Sequence, residues 1–237
     1  MAPGIPMAQD TGSTDDPLPL LRLLQLVSPS LPIGGFAYSQ GIEWAVEAGW
    51  IRSAEQLQAW LLDQLGNSLV NLDLPLLARM YDAARVRDLA AMIHWIDWLL
   101  AARETSELRA EEANRGRALA DLLIAWELTG ARDWKTTLAR SQAAGFAFAA
   151  AAWAIPVRNT ALGYAWGWLE NLVLAGIKII PLGRAQGQRI LQRLAAEVPA
   201  AVARALALAD HEIGASTPAL AIASSAHETQ YTRLFRS

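Results

Sequence analysis

The sequence contains no cysteine and only three histidines, His94, His211 and His227. The absence of cysteine excludes disulfides, thiolate catalysis and cysteine-ligated zinc, and it fits a reducing compartment. No histidine belongs to an H-E-x-x-H pair or stands four residues from another ligand, so the sequence predicts no internal metal site. We interpret His94 as a residue at the core boundary. The pair His227 and Glu228 stays open as a weak contact for a metal at a shared surface.

The chain also lacks a strong excess of one charge, because 20 basic and 23 acidic residues give a net charge of −3. A nucleic acid or an anionic membrane would need a broad basic surface, so neither is an expected partner. Residues 1–16 have no basic start and no apolar core, and they are therefore not a secretory signal. Their Gly, Pro, Ser and Asp content predicts disorder. The cytoplasm is the expected location.

Long uninterrupted apolar segments are missing as well. The uncharged run between Arg140 and Arg158 is dominated by alanine and broken by Pro156. The next apolar stretch is interrupted by Glu170 and Lys178, and charges inside a membrane are costly. These two segments are predicted to be buried helices of a bundle and not membrane spans.

What the sequence has in abundance is alanine and leucine, with few runs of Val, Ile and Thr, and this composition favours helices over strands. The apolar spacing predicts an all-α bundle of roughly nine or ten helices, with one domain over 17–226 and no linker inside it. A helix is expected over 36–49, and Ser53 opens another with a capping-box pattern. Near the end of the bundle, separate helices are expected at about 184–196 and 199–210.

The sequence contains no recognisable catalytic motif. The string LPIGGF lacks the Lys-Ser/Thr of a phosphate loop, and no G-x-S-x-G is present. Glu43 and Glu170 have aromatic neighbours in sequence, and such surroundings can raise a carboxyl pKa toward acid/base use. A carboxylate hydrogen-bonded to a tryptophan indole or capping a helix is the favoured interpretation. No cofactor and no catalytic residue are predicted.

The segment HETQYTRLFRS, residues 227–237, combines large apolar side chains with two guanidinium groups. Its candidate binding residues are Tyr231, Arg233, Leu234, Phe235 and Arg236. Burying three such apolar side chains contributes about 1.5–3 kcal/mol each. Ordering eleven backbone units costs about 1–2 kcal/mol per residue. This tail is therefore predicted to be mobile in the free protein and to become ordered on a partner.

Four strings resemble the UreF family of urease accessory proteins when they are taken in order. They are SPSLPIGGFAYSQGIEWAV, ETSELRAEEANRG, AGIKIIPLGRAQGQRIL and HETQYTRLFRS, and the similarity runs from about residue 18 to residue 237. The resemblance implies an all-α, non-enzymatic, cytoplasmic homodimer that binds UreD (also called UreH) and the GTPase UreG. That assembly acts on the urease apoprotein so that nickel enters its active site in a GTP-dependent step.

The resemblance also implies roles for particular residues. The tail residues named above match a segment that orders on the UreD-type partner and helps form the surface for the GTPase. Lys178 matches a lysine associated with the GTPase, although it could also be a cation favourable to a helix C-terminus. The N-terminal motif is interpreted either as a partner contact or as a packing signature, and it comprises Gly34, Gly35, Tyr38, Ser39, Gln40 and Glu43.

Two other functions remain open at the level of sequence. A GTPase-activating protein would use an arginine finger, for which Arg233 or Arg236 on a mobile tail is the candidate. The short spacing between these arginines and the aromatic residues favours docking instead. A helical enzyme using Glu43 or Glu170 has no supporting motif.

Overall fold

A computed structural model describes residues 16–215 and 217–237, and within these ranges the regular structure is entirely helical. The prediction of a single-domain all-α fold is confirmed. The α-helices are α1 (Leu18–Val27), α2 (Ile42–Glu47), α3 (Ala54–Gln64), α4 (Leu74–Val86), α5 (Leu89–Ala102), α6 (Ser106–Ala125), α7 (Lys135–Leu138), α8 (Gln142–Ala152), α9 (Val157–Ile179), α10 (Arg184–Ala207) and α11 (Pro218–His227). A π-helix, Leu65–Asp73, joins α3 to α4, and short 3₁₀ turns lie at Gly35–Ala37 and Asp210–Glu212.

The starts of several helices follow from their capping residues. The Ser53 hydroxyl accepts the N–H of Gln56 at 3.3 Å, which confirms the predicted cap of α3. Asp16 receives the N–H of Leu18 at 3.0 Å and so supports the first turn of α1. The remainder of the predicted disordered segment, residues 1–15, lies outside the described part of the chain.

Helix α8 lies at the centre of the bundle, where residues 142–150 are all buried. Its alanine side chains are small, so α4 and α6 can approach it closely. A glycine on α6 allows a still closer approach. A Cβ on Gly116 of α6 would lie 2.7 Å from the backbone nitrogen of Ser141. The apolar run predicted as a buried helix is therefore confirmed. No helix among the described residues combines the length and apolar character needed to cross a membrane.

Two predicted helix boundaries are wrong. The expected helix over 36–49 is interrupted, because Gln40 (φ 50°) and Gly41 (φ 78°) adopt left-handed backbone conformations before α2 begins. The helices expected over 184–196 and 199–210 form the single helix α10, with Pro199 inside it. Proline removes one backbone hydrogen bond there. The apolar face of α10 continues past that point, with Val198, Ala201 and Val202 buried, and this packing sustains the helix.

Candidate partner-binding site

The N-terminal motif forms a bent connection between α1 and α2. Gly41 sits so close to α11 that an added Cβ would lie 3.0 Å from the Cβ of Ala223. A left-handed φ and this close approach both require glycine at the position. The bend leaves the carbonyl oxygen of Ala37 and the N–H of Ser39 without helical hydrogen bonds, and these two groups bind the tail.

Glu43, in the first turn of α2, binds the backbone of the tail. It is 7% exposed, and its Oε1 accepts the N–H of Leu234 at 2.6 Å while its Oε2 accepts the N–H of Phe235 at 2.9 Å. The Nε2 atom of His227 lies 3.2 Å from the same Oε2. Glu43 is thus a buried, hydrogen-bonded carboxylate as expected, but its partners are tail residues and not an indole or a helix end.

Glu107, on α6, is the second carboxylate that contacts the tail. The Nδ1 atom of His227 lies 2.6 Å from its Oε2, and Nη1 of Arg233 donates to its Oε1 at 2.7 Å. His227 is fully buried between Glu43 and Glu107. The expectation that His227 lies at a surface is wrong, because both ring nitrogens face carboxylates inside the protein.

The last residues of the tail bind the motif through serine and backbone groups. The N–H and hydroxyl of Ser39 both donate to the carbonyl oxygen of Ser237, at 2.7 and 2.6 Å. The Ser237 hydroxyl donates to Glu111 at 3.0 Å, and the N–H of Arg236 donates to the carbonyl of Ala37 at 2.8 Å. Ser39, Glu43, Glu107 and Glu111 together are called the tail seat below.

Phe235 is the one large apolar side chain of the tail that enters the protein, at 5% exposure. The ammonium nitrogen of Lys178, in the last turn of α9, lies 5.6 Å from the centroid of the Phe235 ring and 6.0 Å from that of Phe36. Both distances fit cation–π contacts. Lys178 therefore connects the C-terminal end of α9 to the tail and to the N-terminal motif.

The tail presents its other large side chains to solvent. Tyr231 is fully exposed, Leu234 is 66% exposed, and Arg233 and Arg236 are exposed as well. The structure thus differs from the expectation of a tail that needs a partner to become ordered. That expectation counted three apolar anchors and omitted the hydrogen bonds to the tail seat, which hold the backbone with one apolar anchor.

Of the remaining motif residues, Tyr38 packs inside the bundle, and Gly34, Gly35 and Gln40 are half-buried. Tyr38 is buried, and its hydroxyl accepts from Asn114 at 3.2 Å. Gln40 accepts from the indole of Trp168 at 2.9 Å and donates to Glu111 at 3.0 Å. Gly34 has a left-handed φ of 72°, and Gly35 begins the following 3₁₀ turn. The motif accordingly has a clear packing role, and it also provides Ser39 and Glu43 of the tail seat.

Sequence reasoning missed four residues of this site: Glu107, Glu111, His227 and Ser237. Glu107 and Glu111 stand four apart on α6, and that spacing indicates one shared helix face. It does not indicate that the face is buried under a segment more than 100 residues away. A polar strip on a long helix is usually solvated, and nothing local separates the two cases.

A second group of buried charges, called the interior ion-pair cluster, consists of Asp73, Arg103 and Glu112. The Arg103 guanidinium forms a salt bridge with the Asp73 carboxylate, and its Nη2 lies 3.4 Å from Oε2 of Glu112. Burial tends to raise the pKa of Glu112, but the Arg103 guanidinium, the N–H of Ala143 and the Ser141 hydroxyl outweigh it and hold that pKa below its usual range. Burial tends to lower the pKa of Arg103, and its two carboxylate partners raise it overall.

A cavity of about 170 Å³ lies between the interior ion-pair cluster and the neighbourhood of the tail, lined by residues that include Arg103, Glu112, Phe36 and Lys178. At another part of its wall, burial raises the pKa of Glu170, and a hydrogen bond from Trp166 partly offsets this effect. The interpretation of Glu170 as a carboxylate bound to an indole or capping a helix stays a prediction.

Comparison with known proteins gives a consistent result. The family model UreF matches residues 51–195. The urease accessory protein UreF of Pseudomonas putida (strain GB-1) is 55% identical over 220 residues, covering 93% of this chain and 98% of the relative. UreF of Alcanivorax borkumensis is 51% identical over 222 residues (91% and 97%), and UreF of Klebsiella pneumoniae (strain 342) is 46% identical over 217 (92% and 97%).

The fold and the site define an all-helical protein whose C-terminal segment is docked beside its N-terminal motif. With the similarity extending over more than nine-tenths of the chain, this protein belongs to the UreF family of urease accessory proteins.

Proposed function

We propose that this chain is a non-enzymatic chaperone of urease maturation that bridges UreD/UreH and the GTPase UreG in the cytoplasm. In that assembly nickel is the cargo delivered to the urease apoprotein. Membership of the family supports the general role. The assignment of the tail as the partner-binding surface depends on one observation: its backbone is held by the protein while the side chains of Tyr231 and Leu234 stay exposed. Exposed large apolar side chains beside arginines are typical of interface centres.

The proposed partner surface extends from the tail to the end of α9. Tyr231, Leu234 and Arg236 are exposed, and Phe36 is 68% exposed next to Lys178. The Lys178 ammonium carries a positive charge between the two aromatic rings, so this surface combines apolar area with cations. A partner with an apolar patch and acidic residues fits that combination.

The surface is tested by mixing the purified protein with UreD and UreG and measuring the assembly by size-exclusion chromatography with light scattering. Deleting 227–237 is expected to abolish the complex. The double variant Tyr231→Ala/Leu234→Ala is a sharper change, because both side chains are exposed and the tail seat keeps its hydrogen bonds. Val86→Ala, at an exposed position of α4, is the matched control. Normal assembly and urease activation by the double variant would remove this role of the tail.

We also propose that the protein is a homodimer, with α1 as the contact surface. Leu18, Leu20, Leu21 and Leu24 of this helix are each between 49% and 59% exposed. Such a cluster on one helix is costly in water and is suited to a second copy of the same helix. Leu21→Asp is expected to give a monomer by light scattering, whereas Leu62→Asp on α3 is expected to leave the dimer intact.

The alternative function, activation of the GTPase by a tail arginine, is a weaker candidate. Arg233 donates to Glu107, and this contact holds its guanidinium against the protein. Single-turnover GTP hydrolysis by UreG, with the wild-type protein and with Arg233→Ala and Arg236→Ala, separates the two functions. An acceleration lost in either variant would favour an arginine finger.

A further inference from the structure

The side-chain carboxylate of Glu43 is hydrogen-bonded by the tail. Within residues 16–215 and 217–237, all of its hydrogen-bond partners belong to 227–237. Its donors are the N–H groups of Leu234 and Phe235, and Nε2 of His227 lies within hydrogen-bond distance, at 3.2 Å. No lysine or arginine pairs with it in the same ranges. A buried carboxylate requires hydrogen-bond donors to offset its desolvation. Departure of the tail would therefore leave Glu43 without them.

The geometry of this contact fixes the shape of the tail. In an extended strand, successive N–H groups point to opposite sides. Here two successive N–H groups reach the two oxygens of one carboxylate, so the backbone must bend at Leu234 and Phe235, and the structure has a bend at both residues. Glu43 thus holds the backbone of these two residues in the bent conformation.

The consequence is visible in the exposure of those two side chains. Phe235 is 5% exposed and contacts Lys178, whereas Leu234 beside it is 66% exposed. Arg233, one residue earlier, reaches Glu107. The two residues whose N–H groups bind this one carboxylate therefore have side chains in opposite environments, Phe235 in the protein and Leu234 in solvent.

We infer that Glu43 is the positioning residue of the tail: it binds two adjacent backbone N–H groups and thereby sets which side chains the tail presents to a protein partner. The positioning concerns the free chain, and its importance for assembly rests on the proposed function. Glu107 assists by holding His227 and Arg233. Glu47 lies one turn further along α2, and among the described residues its side chain hydrogen-bonds to the tail through the Gln230 side chain at the surface, so it serves as a matched control.

The first measurement uses the unmodified full-length protein. Hydrogen exchange followed by NMR is expected to show slow exchange for the amides of Leu234 and Phe235. The N–H groups of Tyr231 and Thr232 do not donate to Glu43, and they are therefore expected to exchange at least about tenfold faster. Equal exchange at all four amides would overturn the inference without the use of any variant.

The second measurement compares Glu43→Gln with Glu47→Gln in the full-length chain. Glutamine keeps the size of the side chain but replaces one acceptor oxygen by an NH₂ group that faces N–H donors. Exchange at Leu234 and Phe235 is expected to accelerate about tenfold or more in Glu43→Gln and to stay unchanged in Glu47→Gln. Glu43→Asp keeps a carboxylate and is expected to restore part of the protection. Unchanged exchange in Glu43→Gln would refute the positioning role.

Assembly with UreD and UreG is then measured for the same three variants. If Glu43→Gln frees the tail and weakens assembly, the positioning and the proposed function are both supported. If Glu43→Gln releases the tail while assembly stays normal, the positioning of the tail in the unbound protein is supported, and the proposed binding role of the tail fails. The two ideas can therefore fail separately.

Discussion

The interior ion-pair cluster and the tail seat both bury carboxylates, and Glu112 of the first and Glu43 of the second are compensated by different donors. Glu112 faces the guanidinium of Arg103 and receives the Ser141 hydroxyl at 2.7 Å. Glu43 receives two backbone N–H groups and lies against a histidine ring. The partners of Glu112 lie in the connection between α5 and α6 and at the start of α8, whereas those of Glu43 lie at the end of α11 and in the irregular segment that follows it.

This difference separates permanent contacts from contacts that can be exchanged. Removing a partner of the interior ion-pair cluster requires the helices around α8 to move apart. Removing the hydrogen-bond partners of Glu43 requires only that 227–237 leave, including the last residue of α11, after which water can reach Glu43 and Glu107. The carboxylates of the tail seat are thus suited to a segment that changes its surroundings when a partner binds.

The largest effect is expected from Glu112→Ala in the interior ion-pair cluster. The change leaves Arg103 with only Asp73 and removes the acceptor of Ser141 and Ala143. Breaking a buried ion pair lowers the free energy of unfolding by roughly 3–5 kcal/mol, measurable by urea denaturation. Asp121→Ala, which breaks an exposed pair with Lys135, is the control and should change it by about 0–1 kcal/mol.

The effect of Glu112→Ala should also depend on pH. The pKa of Glu112 is held below its usual range in the folded protein, so the charged carboxylate stabilises the fold above its unfolded-state pKa. That contribution is lost as the pH falls through the lower, folded-state pKa. The difference between wild type and variant is therefore expected to be full at neutral pH and to shrink in acid. A difference constant from pH 7 to pH 2 would contradict the ion-pair explanation.

An intermediate effect, confined to the tail, is expected from Phe235→Ala. The change removes a burial that contributes about 1.5–3 kcal/mol and the contact with Lys178. Trypsin should then cleave after Arg233 and Arg236 much faster, while the urea midpoint hardly moves. Tyr231→Ala is the control, because that side chain is fully exposed. A loss of global stability as large as that of Glu112→Ala would mean that the tail belongs to the core.

The smallest effect is expected from Glu170→Gln, which tests a half-buried carboxylate that forms no ion pair within the described part of the chain. Burial raises the pKa of Glu170, so the charged form is disfavoured in the folded state. Its charge then reduces stability above the unfolded-state pKa, and the penalty disappears in acid where both states are protonated. The variant should be slightly more stable at pH 7 and equal to wild type near pH 3. Glu197→Gln, at an exposed site on α10, should show no such difference.

Much of the fold could be predicted because its signals are local. The Ser53 cap, the alanine-rich core helix and the helix after Asp16 each depend on residues within a few positions of one another. The boundary at Pro199 was wrong because burial of Val198 and Ala201 sustains α10 through the proline, and burial is decided by the rest of the bundle. Tertiary packing outweighed the low helix propensity of proline at this position.

The candidate site was less predictable because its contacts join distant segments. The composition of the tail indicated an interaction surface, but only the structure distinguishes the buried Phe235 from the exposed Leu234 beside it. A segment without a regular period carries no signal for which side faces inward. For the same reason, nothing local to Glu43 indicated that its partners lie about 190 residues further along the chain.

That separation has a consequence for the order of folding. The hydrogen bonds from Leu234 and Phe235 to Glu43 span 191 and 192 residues, and the Ser39 bond to Ser237 spans 198. Closing so large a loop becomes favourable only after the intervening helices have brought the two segments together. During synthesis, Glu43 leaves the ribosome long before its donors are made, and it stays hydrated until then. Completion of the tail seat is therefore among the last steps of folding and follows assembly of the bundle.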